Sequence, residues 1–60
     1  MPSDETRRVL KVFGVAVTNL EDAIERKASF DEIMKWDQEV AERLRETSAL
    51  VQRLRSRRIG

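Results

Sequence analysis

Cysteine, histidine and tyrosine are all missing from this chain of 60 residues. Without cysteine there is no disulfide and no thiolate metal site. Without histidine the commonest ligand for zinc, copper and iron is gone, and with it the side chain most used as a general acid or base. No glycine-rich phosphate loop occurs, and the serine and threonine hydroxyls have no evident base beside them. So short a chain also has little room for an enclosed pocket. The inventory argues against an enzyme, and no cofactor or metal is expected. Asp31, Glu32, Glu39, Glu42 and Glu46 invite a carboxylate metal site, but bundle sites of that kind add a Glu-x-x-His pair. These acids read as solvated helix faces.

Helix breakers are scarce too: one proline, Pro2, and two glycines, Gly14 and Gly60. Long apolar runs are lacking, since the longest stretch without a charge, Val12 to Leu20, is nine residues. A bilayer span needs about 20. The opening Met1-Pro2-Ser3-Asp4-Glu5 is acidic and has no basic region of a secretory signal, so a cytoplasmic protein is expected.

What remains is 38% charged and 40% hydrophobic, at a net charge of +1. That is the balance of long helices and coiled coils, and too apolar for a disordered tail. One domain over residues 1–60 is the expectation. A domain this small buries only about 60% of the surface its unfolded chain exposes. With disulfides and metals closed off, association with another chain is the remaining route to stability.

Ser3 suits a helix N-cap, with Asp4 and Glu5 placing negative charge in the first turn. Leu10, Phe13, Val17, Leu20 and Ile24 then recur at steps of 3 and 4, flanked by Val9, Ala16 and Ala23. Val12 and Val15 lie beyond, so the first half of this helix is apolar over much of its circumference. Such a helix must be covered on more than one side. The valines also suit a strand, but strict alternation fails at Val9-Leu10 and Val12-Phe13.

Ser29-Phe30-Asp31-Glu32 fits a capping box, which opens a second helix after a link of about two residues. A link so short folds the helices back antiparallel. A single kinked helix is the alternative, since no glycine marks the turn. Along the second helix Phe30, Ile33, Asp37, Val40, Leu44, Thr47, Val51, Leu54 and Arg58 hold seam positions, with Trp36, Met34, Ala41 and Leu50 beside them. The expected helices run from about 4 to 27 and about 30 to 57, with the turn at 28–29.

Two features bear on function. Charge is uneven: residues 1–28 are net 0, residues 29–46 net −3, and residues 47–60 hold Arg53, Arg55, Arg57 and Arg58 with no acid. Those arginines make nucleic acid a conceivable partner through phosphate contacts. They also complement the helix dipole, and a hairpin would bring them near Asp4 and Glu5. A ribbon-helix-helix dimer, with residues 9–18 as the ribbon, is a further alternative, though Val and Phe cannot read base edges.

Trp36 is either an interface anchor or a cover for the end of the core. Asp37 in the seam either fixes register or sits in water where the seam splays.

The expectation is thus an all-α antiparallel hairpin of two long helices, assembling as a homodimeric four-helix bundle. Its interface residues would be Leu10, Phe13, Val17, Leu20, Ile24, Phe30, Ile33, Trp36, Val40, Leu44, Val51 and Leu54. The function expected is that of an oligomerisation or protein-interaction module, in a regulator, adaptor or accessory subunit, with a larger protein partner as another occupant of the seam. Nucleic-acid binding through the arginines is the alternative function.

Overall fold

The computed structural model describes residues 3–59, and side-chain environments from residue 3 to residue 57. Two helices account for nearly all of it: α1 over Asp4–Glu25 and α2 over Phe30–Ile59. They pack against each other as an antiparallel hairpin. The chain measures 47 × 18 × 12 Å, and the long axis is that of α2, whose 30 residues at about 1.5 Å each give roughly 45 Å. Residues 9–18 lie inside α1, which removes the ribbon-helix-helix arrangement. The packing of α1 on α2 likewise removes the single kinked helix.

Both caps form. Ser3 Oγ accepts from the Thr6 amide at 3.1 Å, and Ser29 Oγ accepts from the Glu32 amide at 3.2 Å. Each hydroxyl satisfies one of the amides that a helix start leaves without a partner. The Glu32 carboxylate does not turn back to the Ser29 amide as in a full capping box. It takes Arg26 instead, whose Nε also reaches Asp22 Oδ2 at 2.9 Å. Arg26 therefore ties the end of α1 to the start of α2.

The turn itself is a Schellman motif. The Ala28 amide donates to the Ala23 carbonyl at 2.9 Å and the Lys27 amide to the Ile24 carbonyl at 3.1 Å, with Lys27 left-handed at φ 57. Glycine is the usual residue there, and lysine in its place hides the stop signal from the sequence. Helix α1 accordingly ends at Glu25, two residues earlier than the spacing suggests.

Between the helices the contact is narrow. Ala16, Ala23 and Leu50 are the buried hydrophobic residues among those described, and no large side chain there is fully enclosed. Half-buried side chains continue the seam: Val9, Phe13 and Leu20 on α1, and Ile33, Trp36, Val40, Arg43 and Thr47 on α2. On α1 the seam is thus Val9-Phe13-Ala16-Leu20-Ala23, at steps of 4 and 3. Leu10, Val17 and Ile24 stand outside it, exposed. The packed stripe joins Phe13 and Leu20 of the expected seam to the flanking Val9, Ala16 and Ala23. Small residues decide this, because Ala16 and Ala23 let α2 approach closely where Val17 and Ile24 would hold it away.

Candidate interaction surface

One step of an α-helix turns about 100°, so residues one position beyond the packed seam form a second stripe beside it. On α1 that stripe is Leu10, Gly14, Val17, Glu21 and Ile24; on α2 it is Met34, Asp37, Ala41, Leu44, Ser48 and Val51, with Phe30 continuing it toward the turn. All of these residues are exposed. The helices run antiparallel, and both stripes are displaced from the seam in the same rotational sense. They therefore meet on the same side of the hairpin and make one continuous face.

This face is apolar. Leu10, Val17, Ile24, Met34, Leu44 and Val51 are all among the exposed large hydrophobics, and Phe30 is the extreme at 75%. Val17, Leu20 and Ile24 also line a shallow depression on α1, rimmed by Glu21 and Glu25. Gly14 has open space where a Cβ would stand, so nothing within the hairpin requires glycine there.

The opposite side is charged. Glu5, Arg8, Arg43, Glu46 and Arg53 line an open groove of about 410 Å³, with Val9, Val12 and Ala49 at its floor and edges. Arg53 Nη2 donates to Glu5 Oε2 at 3.0 Å. Arg43 sits low in the groove with its Nε 3.4 Å from Glu39 and its Nη1 3.4 Å from Glu46. The Nε–Glu39 approach has ion-pair distance without hydrogen-bond geometry, and that nitrogen has no hydrogen-bond partner. Arg43 is half-buried at a position that the expected seam, which runs through Val40, Leu44 and Thr47, passes over.

The twelve interface residues expected from sequence thus divide. Phe13, Leu20, Ile33, Trp36 and Val40 are half-buried in the hairpin seam, and Leu10, Val17, Ile24, Phe30, Leu44, Val51 and Leu54 are exposed. Leu54 is exposed because α2 runs on past the start of α1, which the Glu5–Arg53 pair places near residue 53. Trp36 lies in the seam, with Lys35 Nζ 5.2 Å from the centre of its ring. Asp37 is exposed.

Of the four arginines, Arg53 is engaged by Glu5, while Arg55 and Arg57 are exposed on the extension of α2. The Arg58 side chain lies outside the described residues. The acids considered for a metal are mostly held by arginines: Glu32 by Arg26, Glu39 and Glu46 by Arg43, and Glu42 by Arg45 at 2.5 Å. The Arg26 guanidinium holds the Glu32 carboxyl below its ordinary range, and Glu32 with Asp22 raises Arg26. No group of three or more metal-binding side chains occurs among the described residues. No helix among them is long and apolar enough to cross a membrane. Comparison with protein-family models, with curated proteins and with solved structures finds no match to this chain.

Proposed function

We propose that this chain is a non-enzymatic, cytoplasmic assembly module whose hairpin completes its core by pairing with a second copy as a four-helix bundle. In that role it serves as the oligomerisation or interaction element of a regulator, adaptor or accessory subunit. The observation that carries this is the apolar face, which leaves Leu10, Val17, Ile24, Phe30, Leu44 and Val51 exposed while only Ala16, Ala23 and Leu50 are buried among the described residues. Area supports it. The chain exposes 4977 Å², whereas a folded monomer of 7.0 kDa exposes about 4,000 Å². The excess of roughly 1,000 Å² compares with the roughly 800 Å² per partner of a standard protein interface. The surplus surface of one hairpin is about what a second would cover.

The nucleic-acid alternative is weakened because Arg53, the first of the four arginines, already has Glu5 as its counter-ion. Light scattering on a size-exclusion column, with far-UV circular dichroism on the same fractions, tests the proposal. A helical species of about 14 kDa, twice the 7.0 kDa chain, is the expected result. A monomer at tens of micromolar, helical or not, overturns self-association and leaves the face for a different protein.

A further inference from the structure

Helix α2 carries a second, complete heptad repeat beside the one that packs on α1. Positions 30, 34, 37, 41, 44, 48, 51 and 55 follow each other at alternating steps of 4 and 3, and every one is exposed. Only two of the eight are charged: Asp37, an acid, and Arg55, a base. Among the described residues neither has an ion-pair partner within the hairpin. Their opposite signs near opposite ends of one stripe restrict how two copies of it can meet.

A parallel meeting sets Asp37 against Asp37 and Arg55 against Arg55, with like charges facing twice. An antiparallel meeting sets residue pairs against each other about a two-fold axis. With the axis at residue 46, Asp37 faces Arg55, Ala41 faces Val51 and Leu44 faces Ser48. Each of the latter pairs puts a small side chain opposite a larger one, which lets the layers interdigitate. In this register residues 33–59 of the two α2 helices overlap, nearly the whole element. Of the two antiparallel registers one heptad away, one sets Arg55 against Leu44 with Asp37 past the partner's end; the other sets Met34 against Val51 and Ala41 against Leu44, but Asp37 against Ser48 and Arg55 against Phe30. Each leaves a charge at the interface with no counter-charge, the arrangement that costs most there.

We propose that two copies pair α2 against α2, antiparallel about an axis near residue 46, with Asp37 of each copy facing Arg55 of the other. This deepens the homodimer reading above and rests on it. The charge pair fixes direction and register, and Ala41, Leu44 and Val51 supply the attraction; Met34 faces position 58 and Phe30 lies beyond the overlap.

The test is a charge-exchange cycle read by sedimentation equilibrium on the wild type, Asp37→Arg, Arg55→Asp and the double variant. Each single change faces like charges twice per dimer and weakens it by at least about tenfold. The double variant reverses both signs and returns the dimer to within a few-fold of the wild type. Both positions are solvent-exposed in the hairpin, so circular dichroism of the variants remains helical.

A second measurement needs no charge change. The chain has no native cysteine, so a double Asp37→Cys/Arg55→Cys variant, mildly oxidised, forms a covalent dimer in high yield. An Asp37→Cys/Ser48→Cys variant does not. Dimers whose single losses simply add in the double variant, or that cross-link through positions 37 and 48 instead, overturn this register and leave the homodimer intact. A wild type that stays monomeric overturns both.

Discussion

Replacing Leu44 with glutamine separates a hairpin that stands alone from one that pairs. Leu44 is 54% exposed, on the apolar face. Leucine and glutamine have similar helix propensities, so in a lone hairpin the change costs only what the covered half of the side chain contributes and leaves the melting temperature independent of concentration. In a dimer the exposed half of the side chain is buried as well. Complete burial of a leucine is worth about 1.5–3 kcal/mol, so the remaining half contributes about 1–1.5 kcal/mol per copy. Two copies give about 2–3 kcal/mol per dimer, or roughly 30- to 150-fold in the dissociation constant. Val15 provides the control, because it is 52% exposed but on the charged side of the hairpin. Val15→Gln should leave the dissociation constant within about threefold of the wild type. Sedimentation equilibrium measures both, and thermal melts at two concentrations check the result, since only a dimer has a concentration-dependent Tm. Equal effects of the two substitutions would refute the assignment of faces. No effect of either would refute pairing through this face.

Three further outcomes test the hairpin itself. Ala23→Leu adds three carbons where exposure is 0%, directly between the helices, and should cost about 1–3 kcal/mol in urea denaturation. Lys27→Gly should gain about 0.5–1 kcal/mol in the same measurement. It relieves about 1–2 kcal/mol of left-handed strain at φ 57 and gives back part of that as chain entropy. Glu32 has its carboxyl pKa lowered from 4.5 by Arg26, so its contribution is present above that value and is lost as pH falls through the folded-state pKa. Glu32→Gln should therefore flatten the acid limb of the stability curve below about pH 4.5 and leave its slope at neutral pH unchanged. Because the pair is exposed, 0.5 M salt should shrink the difference.

The helices were legible because their signals are local. Ser3 and Ser29 are caps that act within three residues, and the 3–4 spacing of apolar residues fixes helical type over each segment. The turn was legible as a break but not as a structure. Its identity rests on carbonyls of Ala23 and Ile24 receiving amides from Ala28 and Lys27, and lysine gives no hint of a left-handed residue. The second half of the expected capping box failed for a related reason. Glu32 has a guanidinium within reach only once the chain has turned and Arg26 stands beside it. That pairing depends on the fold, and spacing in the sequence cannot announce it.

The expected seam mixes residues of two stripes: Phe13, Leu20, Ile33 and Val40 lie in the hairpin contact, whereas Leu10, Val17, Ile24, Leu44 and Val51 lie one position beyond it. Each helix bears two heptad stripes one position apart, and choosing the bulkier residue at each step draws from both: Leu10, Val17 and Ile24 from the outer stripe, Phe13 and Leu20 from the packed one. Packing of two helices ranks by approach distance, and Ala16 and Ala23 win that comparison. A hairpin that needed only itself would have little use for Leu10, Val17 and Ile24 on its outer side, or for Phe30 and Leu44 beside them. A helix with one stripe needs one neighbour, and a helix with two adjacent stripes needs two. In a four-helix bundle every helix has two neighbours, set about a right angle apart around its axis. The 100° between the stripes of α1 and α2 matches that angle. The doubled pattern therefore argues for a bundle over a two-stranded coil. A bundle would also account for how little of the hairpin is buried.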